Sequence, residues 1–423
     1  MKVLLAFAGS RGDAQPSVLI GRELAARGHE VTVAVSPNLV EFAERHGVSA
    51  VPLGLDSGEL LRAQRDNRRF RHPNPAQRVR AVLDLQRRGF AEAARDLRAL
   101  AGDSEVLVTG MACEEVGVEV ARHHAIPLAA VHFFPIRPSR SVPVLPTDWA
   151  RHLPAELNRL GWRALTMARA RALAPEIAAF RRAGATSVTP GRIADRGLRA
   201  YTAIQAYDPA LFPGLADELP GLPFTGFPVP TDSPDLGDEL SEWLRAGPAP
   251  VYVGFGSMPV TDPVATESMV REAGRRVGRR ILLVGPMFRH RIGDGLAVVD
   301  QVDHGAVLPS CVVAVHHGGA GTTAAALRAG VPSVICSVQA DQPYWGRQLE
   351  ALGLGATASF AGLTANRLER LLIRATEPDV IAWAAAFGAG FRDDGVRRAA
   401  DVIESITPDR AVREIPTTIG GVR

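Results

Sequence analysis

The chain has almost no lysine. Of 423 residues, Lys2 alone carries an ε-ammonium, and every other fixed cation is an arginine. A Schiff-base lysine and a Walker-A lysine are thereby excluded from the interior, and with them lysine-dependent pyridoxal chemistry and P-loop nucleotide hydrolysis. Cysteine is nearly as scarce. Cys113, Cys311 and Cys336 are odd in number, sit in apolar or strand-like segments and lack metal-ligand spacing, which predicts reduced, buried thiols. No Asp-x-Asp pair occurs, so a bound metal need not be invoked. The first glycine-rich turn, Gly9-Ser-Arg-Gly-Asp13, has G-x-x-G spacing rather than the dinucleotide fingerprint, and no acidic residue ends the second strand. That argues against a nicotinamide oxidoreductase. No apolar run reaches the roughly 20 residues that span a bilayer, and the first residues read as a strand without a leader pattern. A cytoplasmic protein with no transmembrane segment is expected. The formal charge of +3 is too small and dispersed to point to nucleic acid.

What is present is an alternation of strand and helix signals long enough for two cores. Lys2–Ala8 is a β-type run, Gly9–Pro16 a turn, Ser17–Arg27 a helix stopped by Gly28, and Val31–Val35 the next strand, which together make a βαβ unit. Glu105–Thr109 and Leu128–His132 are further strands around a helix from Met111 to His123. The stretch 60–100 is arginine-rich and helical, with Arg65, Arg68, Arg69, Arg71, Arg87 and Arg88 on what reads as a solvated face. Pro143–Pro146 and 148–160 are loop and helix. Residues 220–250, rich in Pro, Asp and Gly, read as a linker with a short helix at Leu240–Arg245. The alternation restarts at Pro250–Met258 and continues through Ile281–Val284 and Ala297–Val299. Helices at Leu368–Ala375 and Val380–Phe391 precede Gly395–Ile406, and the tail after Thr407 is expected to be poorly ordered.

The most informative stretch is Val315-His-His-Gly-Gly-Ala-Gly-Thr-Thr, followed by a helical run to Gly330 and, after the strand Ser333–Val338, by Asp341-Gln342-Pro343. A strand that breaks at Gly318, Gly319 and Gly321 and then opens a helix gathers free N–H groups and the positive end of the helix dipole at one spot. That is a seat for phosphate. His316 or His317 can add a donor at its rim, and Thr322 and Thr323 add hydroxyls in the first turn.

Taken together, H-H-G-G-A-G-T-T, A-G-V-P and A-D-Q-P-Y-W-G resemble the nucleotide-sugar site of inverting glycosyltransferases of the UDP-glycosyltransferase superfamily. The nearest likeness is to the bacterial natural-product and glycopeptide and the sterol branches. The resemblance implies an α/β fold of two Rossmann-like β/α/β domains facing across a cleft, the GT-B fold. It places an acceptor domain at 1–219, a linker at 220–250, a donor domain at 251–390, and a C-terminal helix crossing back, with its tail, at 391–423. It implies donor binding by Ser257, Val302, His316, Gly318, Gly319, Ala320, Gly321, Thr322, Asp341 and Gln342, with Ser10 near the phosphates. Val302–Leu308 resembles the segment that holds the base, but Gln301 stands where plant relatives would place a stacking tryptophan.

G-S-R-G-D-A-Q-P is similar to the N-terminal motif of the same branch, which implies that Asp13 is the general base. Without that likeness an Asp in a first turn reads as a helix cap. His132, Phe133 and Phe134 fall where the likeness puts the acceptor cleft. For His132, acceptor lining and structural hydrogen bonding are both open. The expected function is inverting transfer of a hexose from a UDP- or dTDP-sugar co-substrate to an apolar small-molecule acceptor, in antibiotic or secondary-metabolite biosynthesis. No other cofactor is expected. The alternatives are a sterol or lipid glucosyltransferase, a nucleotide-sugar epimerase on the same fold, and a catalytically silent partner of another enzyme.

Overall fold

The computed structural model describes residues 1–406 except 67–73, 148, 186–199, 232–235, 257, 259 and 294. Ser257, Arg68, Arg69, Arg71 and the tail after Ile406 therefore lie outside the described residues, as does the side chain of Arg65.

Two parallel sheets form. The first contains β1 (Lys2–Phe7), β2 (Glu30–Val35), β3 (Ser49–Pro52), β4 (Val106–Gly110), β5 (Leu128–His132) and β6 (Tyr201–Gln205) in the order β3-β2-β1-β4-β5-β6. Its register pairs Leu5 with both Val33 and Val108. Each central strand is buried on both faces, which is why these segments read as unbroken apolar runs rather than alternating ones. The second sheet contains β7 (Val251–Gly254), β8 (Ile281–Val284), β9 (Arg291–Ile292), β10 (Leu296–Val299), β11 (Val313–His316), β12 (Ser333–Ser337) and β13 (Gly355–Ser359) in the order β13-β12-β11-β7-β8-β10-β9. Only β9 is antiparallel to its neighbour.

Helices α1 (Arg11–Ala26), α2 (Val40–Arg45), α3 (Ser57–Asp66), α4 (Pro75–Leu100), α5 (Glu114–His124) and α6 (Ala155–Ala185) belong to the first half. They are followed by α7 (Leu215–Glu218), α8 (Asp238–Arg245), α9 (Pro263–Arg276), α10 (His304–Val307), α11 (Ala320–Arg328), α12 (Gln342–Ala351), α13 (Ala365–Ala375), α14 (Pro378–Ala389) and α15 (Gly395–Glu404). In each sheet the chain order reverses beside the first strand, between β1 and β4 and between β7 and β11. Ligands of open parallel sheets collect outside the carboxyl ends of strands at such reversals. The turns after β1, β7 and β11 are therefore the places to look.

Two expectations need correction, and three strands are unmarked in the sequence. The segment Gly9–Pro16 is not a free turn: α1 starts at Arg11, because Ser10 caps it and Asp13 returns the bond, and Pro16 is accommodated inside the helix. Strands β3, β6 and β13 are not marked by an apolar run in the sequence; Ser49-Ala-Val-Pro52 and Gly355-Ala-Thr-Ala-Ser359 are strands by pairing and not by propensity. The helix expected within 148–160 begins at Ala155, after a turn at Trp149–His152, and runs on for 31 residues as α6.

α15 packs on the first sheet's side. Ala399, Ala400 and Ile403 are buried in the same core cluster as Leu5, Val18 and Leu24. Arg27 forks from the end of α1 to Asp401 and Glu404, both at 2.7 Å, and His29 Nε2 lies 2.8 Å from Glu404. A second seam joins the halves through aromatic side chains: Phe134, Phe212 and Phe227 surround the fully buried Trp345. Tyr344 donates its hydroxyl to the Val144 carbonyl at 2.7 Å, and Gln348 its amide to the Leu211 carbonyl at 2.6 Å.

Candidate active site

His316 ends β11 and is completely buried. The Gly318 N–H donates to its Nδ1 at 3.1 Å, which fixes the proton on Nε2. That Nε2–H has no partner among the described residues. Burial, with His317 and His304 nearby, pushes the imidazole well below its ordinary pKa, so the ring is a neutral donor. A buried N–H left unmade costs on the order of 1–3 kcal/mol, so the site is built for an acceptor.

The glycines around it divide into two kinds. Gly318 has φ +92°, and a Cβ there would meet Ile335 at 2.6 Å; its N–H is already given to His316, so its part is to shape the turn. A Cβ on Gly319 would meet His317 Nε2 at 2.6 Å, and one on Gly256 would meet His317 Cε1 at 3.0 Å. His317 is thus wedged between the turn after β7 and the turn after β11, and it sets their separation. Burial and His304 lower it to about 4. Gly321, by contrast, is exposed, and a Cβ there would have nothing within 4 Å. The first intrahelical bond of α11 is Thr323 N–H to the Gly319 carbonyl at 3.0 Å. The N–H groups of Ala320, Gly321 and Thr322 precede it and form the open end of the dipole. Thr323 Oγ1 is buried without a partner, so this hydroxyl and not only Thr322 belongs to the turn's polar inventory.

Asp341 precedes α12 and accepts from the Trp345 indole at 3.0 Å. Burial raises it to about 6, and Asp13 adds to the rise. Gln342 accepts the Val338 and Gln339 N–H groups at 2.9 and 3.1 Å, so its carbonyl oxygen holds the loop and its NH2 remains to donate. Ala340, a non-glycine at φ 55°, bends that loop into place. Val302 packs against the core under β8 and β10. Next to it His304 opens α10, and its Nε2 lies 2.8 Å from the Tyr252 hydroxyl.

Asp13 stands at the end of β1 across from this turn. The Ser10 N–H donates to its Oδ2 at 2.8 Å and the Ser10 hydroxyl at 3.1 Å. Burial nevertheless raises its pKa, outweighing those bonds. Ala320, the first residue of α11, packs against the first sheet's core cluster, which brings the turn after β11 up to the first sheet's half. Gly9, at φ +144°, leaves room for the carboxylate: a Cβ there would lie 2.3 Å from Oδ2.

His132, Phe133 and Phe134 do not line an open surface. His132 is fully buried, with Nε2 on Glu114 at 3.0 Å and Nδ1 facing the Gln205 amide at 3.3 Å. Glu114 is held far below the carboxylate range by His132, Arg137 and Tyr201, against the cost of its burial. Of the two readings of His132, the structure takes structural hydrogen bonding. Phe133 packs in the first core against Phe7, and Phe134 in the aromatic seam. The family likeness puts this segment in the acceptor cleft; two successive large apolar side chains are equally what buries both faces of a strand end. All three cysteines are free and buried, as their surroundings in the sequence imply.

Two facing parallel sheets, each with its polar residues at its own reversal point, define the GT-B architecture. Residues 3–137 match the glycosyltransferase family 28 N-terminal domain, and residues 286–413 match the erythromycin biosynthesis protein CIII-like C-terminal domain. An uncharacterized glycosyltransferase of Mycobacterium tuberculosis is 38% identical over 389 residues, 90% of this chain and 92% of the relative. The vancomycin aglycone glucosyltransferase of Amycolatopsis orientalis is 28% identical over 438 residues, 99% of each. The crystal structure of the glycosyltransferase VinC in complex with dTDP superposes with a TM-score of 0.64 at 22% identity, over 96% of this chain and 99% of that one. The chain belongs to the UDP-glycosyltransferase superfamily and is a glycosyltransferase. Among the described residues no helix is long and apolar enough to cross a membrane.

Proposed function

We propose that this glycosyltransferase moves a hexose, with inversion, from a UDP- or dTDP-sugar to an apolar small-molecule acceptor in secondary metabolism. The observation that carries the donor half is the unpartnered Nε2–H of His316 beside the open N–H groups of Ala320, Gly321 and Thr322. They form a neutral, preorganised seat for a diphosphate, with Ser10 near the phosphates from the other side. Asp341 and the NH2 of Gln342 are read as partners of the sugar hydroxyls, and Val302 as bordering the base. The dTDP in VinC and the aglycone named for the Amycolatopsis relative support the choice of ligands. Residues 1–219 are then the acceptor domain, 220–250 the linker, 251–390 the donor domain and 391–423 the crossing segment.

In the reaction the acceptor hydroxyl loses its proton to Asp13 while its oxygen bonds the anomeric carbon. The bond from that carbon to the diphosphate breaks on the opposite face, and the electron pair leaves with the phosphate. His316 and the α11 amides meet the charge that develops there. No divalent metal is needed for that step. An ordinary carboxylate, pKa near ~3.9, is a weak base toward an alkyl hydroxyl, and the upward shift of Asp13 narrows the gap. The test is a mass-spectrometric screen of the purified protein with UDP-glucose and dTDP-glucose against glycopeptide, polyketide, aromatic and sterol acceptors. A product heavier by one hexose is expected. Epimerised donor with no acceptor product would favour the epimerase, and a sterol product alone would favour the sterol glucosyltransferase.

A further inference from the structure

Helix α6 buries one face and leaves an apolar face uncovered. Asn158, Trp162, Leu173 and Phe180 are buried and share one side at 100° per residue. Leu157, Leu160, Ala164 and Met167 follow i, i+3, i+7, i+10 spacing on nearly the opposite side, and all are exposed. Leu157 is 48% exposed, Leu160 54% and Met167 49%, and Trp149, in the turn just before the helix, is 57% exposed. A helix that is apolar on both faces with only one covered calls for a second apolar environment.

The charges around this face select what covers it. Arg163 and Arg171 are exposed beside and beyond Met167 and have no ion-pair partner among the described residues. Among the described residues of α6, the one acidic residue on the exposed side, Glu156, is bracketed by Arg140 at 2.6 Å and Arg159 at 2.7 Å. The unpaired charges beside the apolar stripe on α6 are therefore cationic, those of Arg163 and Arg171. A second copy of the chain docked through the same stripe would bring these arginines against each other without acids to meet them. An anionic lipid surface complements them, accepts the apolar stripe at the headgroup boundary and suits an exposed tryptophan at one end.

We infer that α6, with Trp149, is a membrane-surface docking face that lays the protein on anionic lipid. The helix lies on the bilayer and does not span it. Neither the donor nor the acceptor reading enters this inference, and neither enters its test.

The experiment is flotation of the purified full chain with vesicles of phosphatidylcholine alone or of phosphatidylcholine and phosphatidylglycerol in equal parts, at low and high salt. The chain is expected to float with the anionic vesicles only, and less so at high salt, where the attraction is screened. Arg163→Gln/Arg171→Gln should weaken partitioning about fivefold per arginine. Leu160→Asp/Met167→Asp should weaken it by more than about tenfold at an unchanged melting temperature, both positions being exposed. Failure of the unaltered chain to float on anionic vesicles at low salt overturns the inference without recourse to any variant. So does flotation undiminished by Leu160→Asp/Met167→Asp. A dimer in sedimentation equilibrium that this variant dissociates assigns the face to a second copy and also overturns it.

Discussion

Replacing Asp13 by asparagine separates its chemistry from its part in the fold. The side chain accepts two bonds from Ser10 through one oxygen. The amide oxygen of an asparagine in its place can accept both, so the start of α1 keeps its shape. What is lost is a negative charge in the first helical turn, worth roughly 0.3–1 kcal/mol with the dipole, and the base. What is relieved is the burial of that charge. Burial raises the pKa of Asp13 despite the Ser10 bonds, so the folded state holds the proton more tightly than the unfolded one. Its contribution to stability is then present below the ordinary carboxylate pKa and is lost as pH rises through the raised folded value. At neutral pH the asparagine variant should melt at the same temperature as the parent or slightly above it. Its kcat should fall by about 10²–10⁴ with donor KM little changed, the loss typical of removing a general base. The assay is kcat and both KM values on an acceptor found in the screen, beside melting curves at acid and neutral pH. Near-parental turnover in a folded variant would refute the assignment. A large fall in melting temperature would instead show that the charge itself, and not the two Ser10 bonds alone, holds the start of α1.

The other substitutions probe the groups that face Asp13. In the role proposed for it, His316 donates to the diphosphate in ground and transition states alike, so for His316→Ala donor KM should rise and kcat fall; unchanged values would leave the diphosphate to the backbone alone. Gly9→Ala places a methyl 2.3 Å from Asp13 Oδ2 at φ +144°. It should lower kcat far more than it changes donor KM, at a folding cost of roughly 1–3 kcal/mol, and a fully active alanine variant would show that Asp13 has no fixed position to keep. Turnover should survive a chelator, because the phosphate seat is made of N–H donors; activity restored only by Mg²⁺ or Mn²⁺ would contradict that.

The sequence reveals most where one local rule decides the outcome. The strands Leu128–His132 and Ile281–Val284 are legible to the residue because strands buried on both faces are uninterrupted apolar runs. The turn that opens α11 is legible because a strand, a glycine break and a helix leave few other conformations. What the sequence does not display depends on partners far away in the chain. β13 exists because β12 pairs with it, and His132 is structural because Glu114, eighteen residues earlier, and Gln205 take both ring nitrogens. Gly318 and Gly319 read as ligand glycines, and each also has a packing reason to be glycine, one against Ile335 and one against His317. No spacing rule distinguishes a glycine that admits a ligand from one that admits a neighbouring ring.

The two sides of the cleft divide the proton chemistry between them. Burial drives His304, His316 and His317 downward, so that side carries neutral imidazoles across the physiological range. Burial drives Asp13 and Asp341 upward, and Asp13 adds to the rise of Asp341. A diphosphate bound at neutral imidazoles and helix amides meets dipoles rather than full positive charge. The seat therefore does not depend on protonating a histidine, and donor affinity should be flat above the range in which Asp341 ionises. Below about 6, where Asp341 takes up its proton, its carboxyl changes from an acceptor into a donor, which in the role proposed for it alters how it meets the sugar hydroxyls. Asp13 loses its capacity as a base as it too is protonated, at a value raised from the ordinary carboxylate range. Acid should therefore act on kcat through the first sheet and on donor recognition through the second. The Asp341→Asn variant distinguishes the two by removing the acid-side change in donor KM while leaving the kcat limb in place.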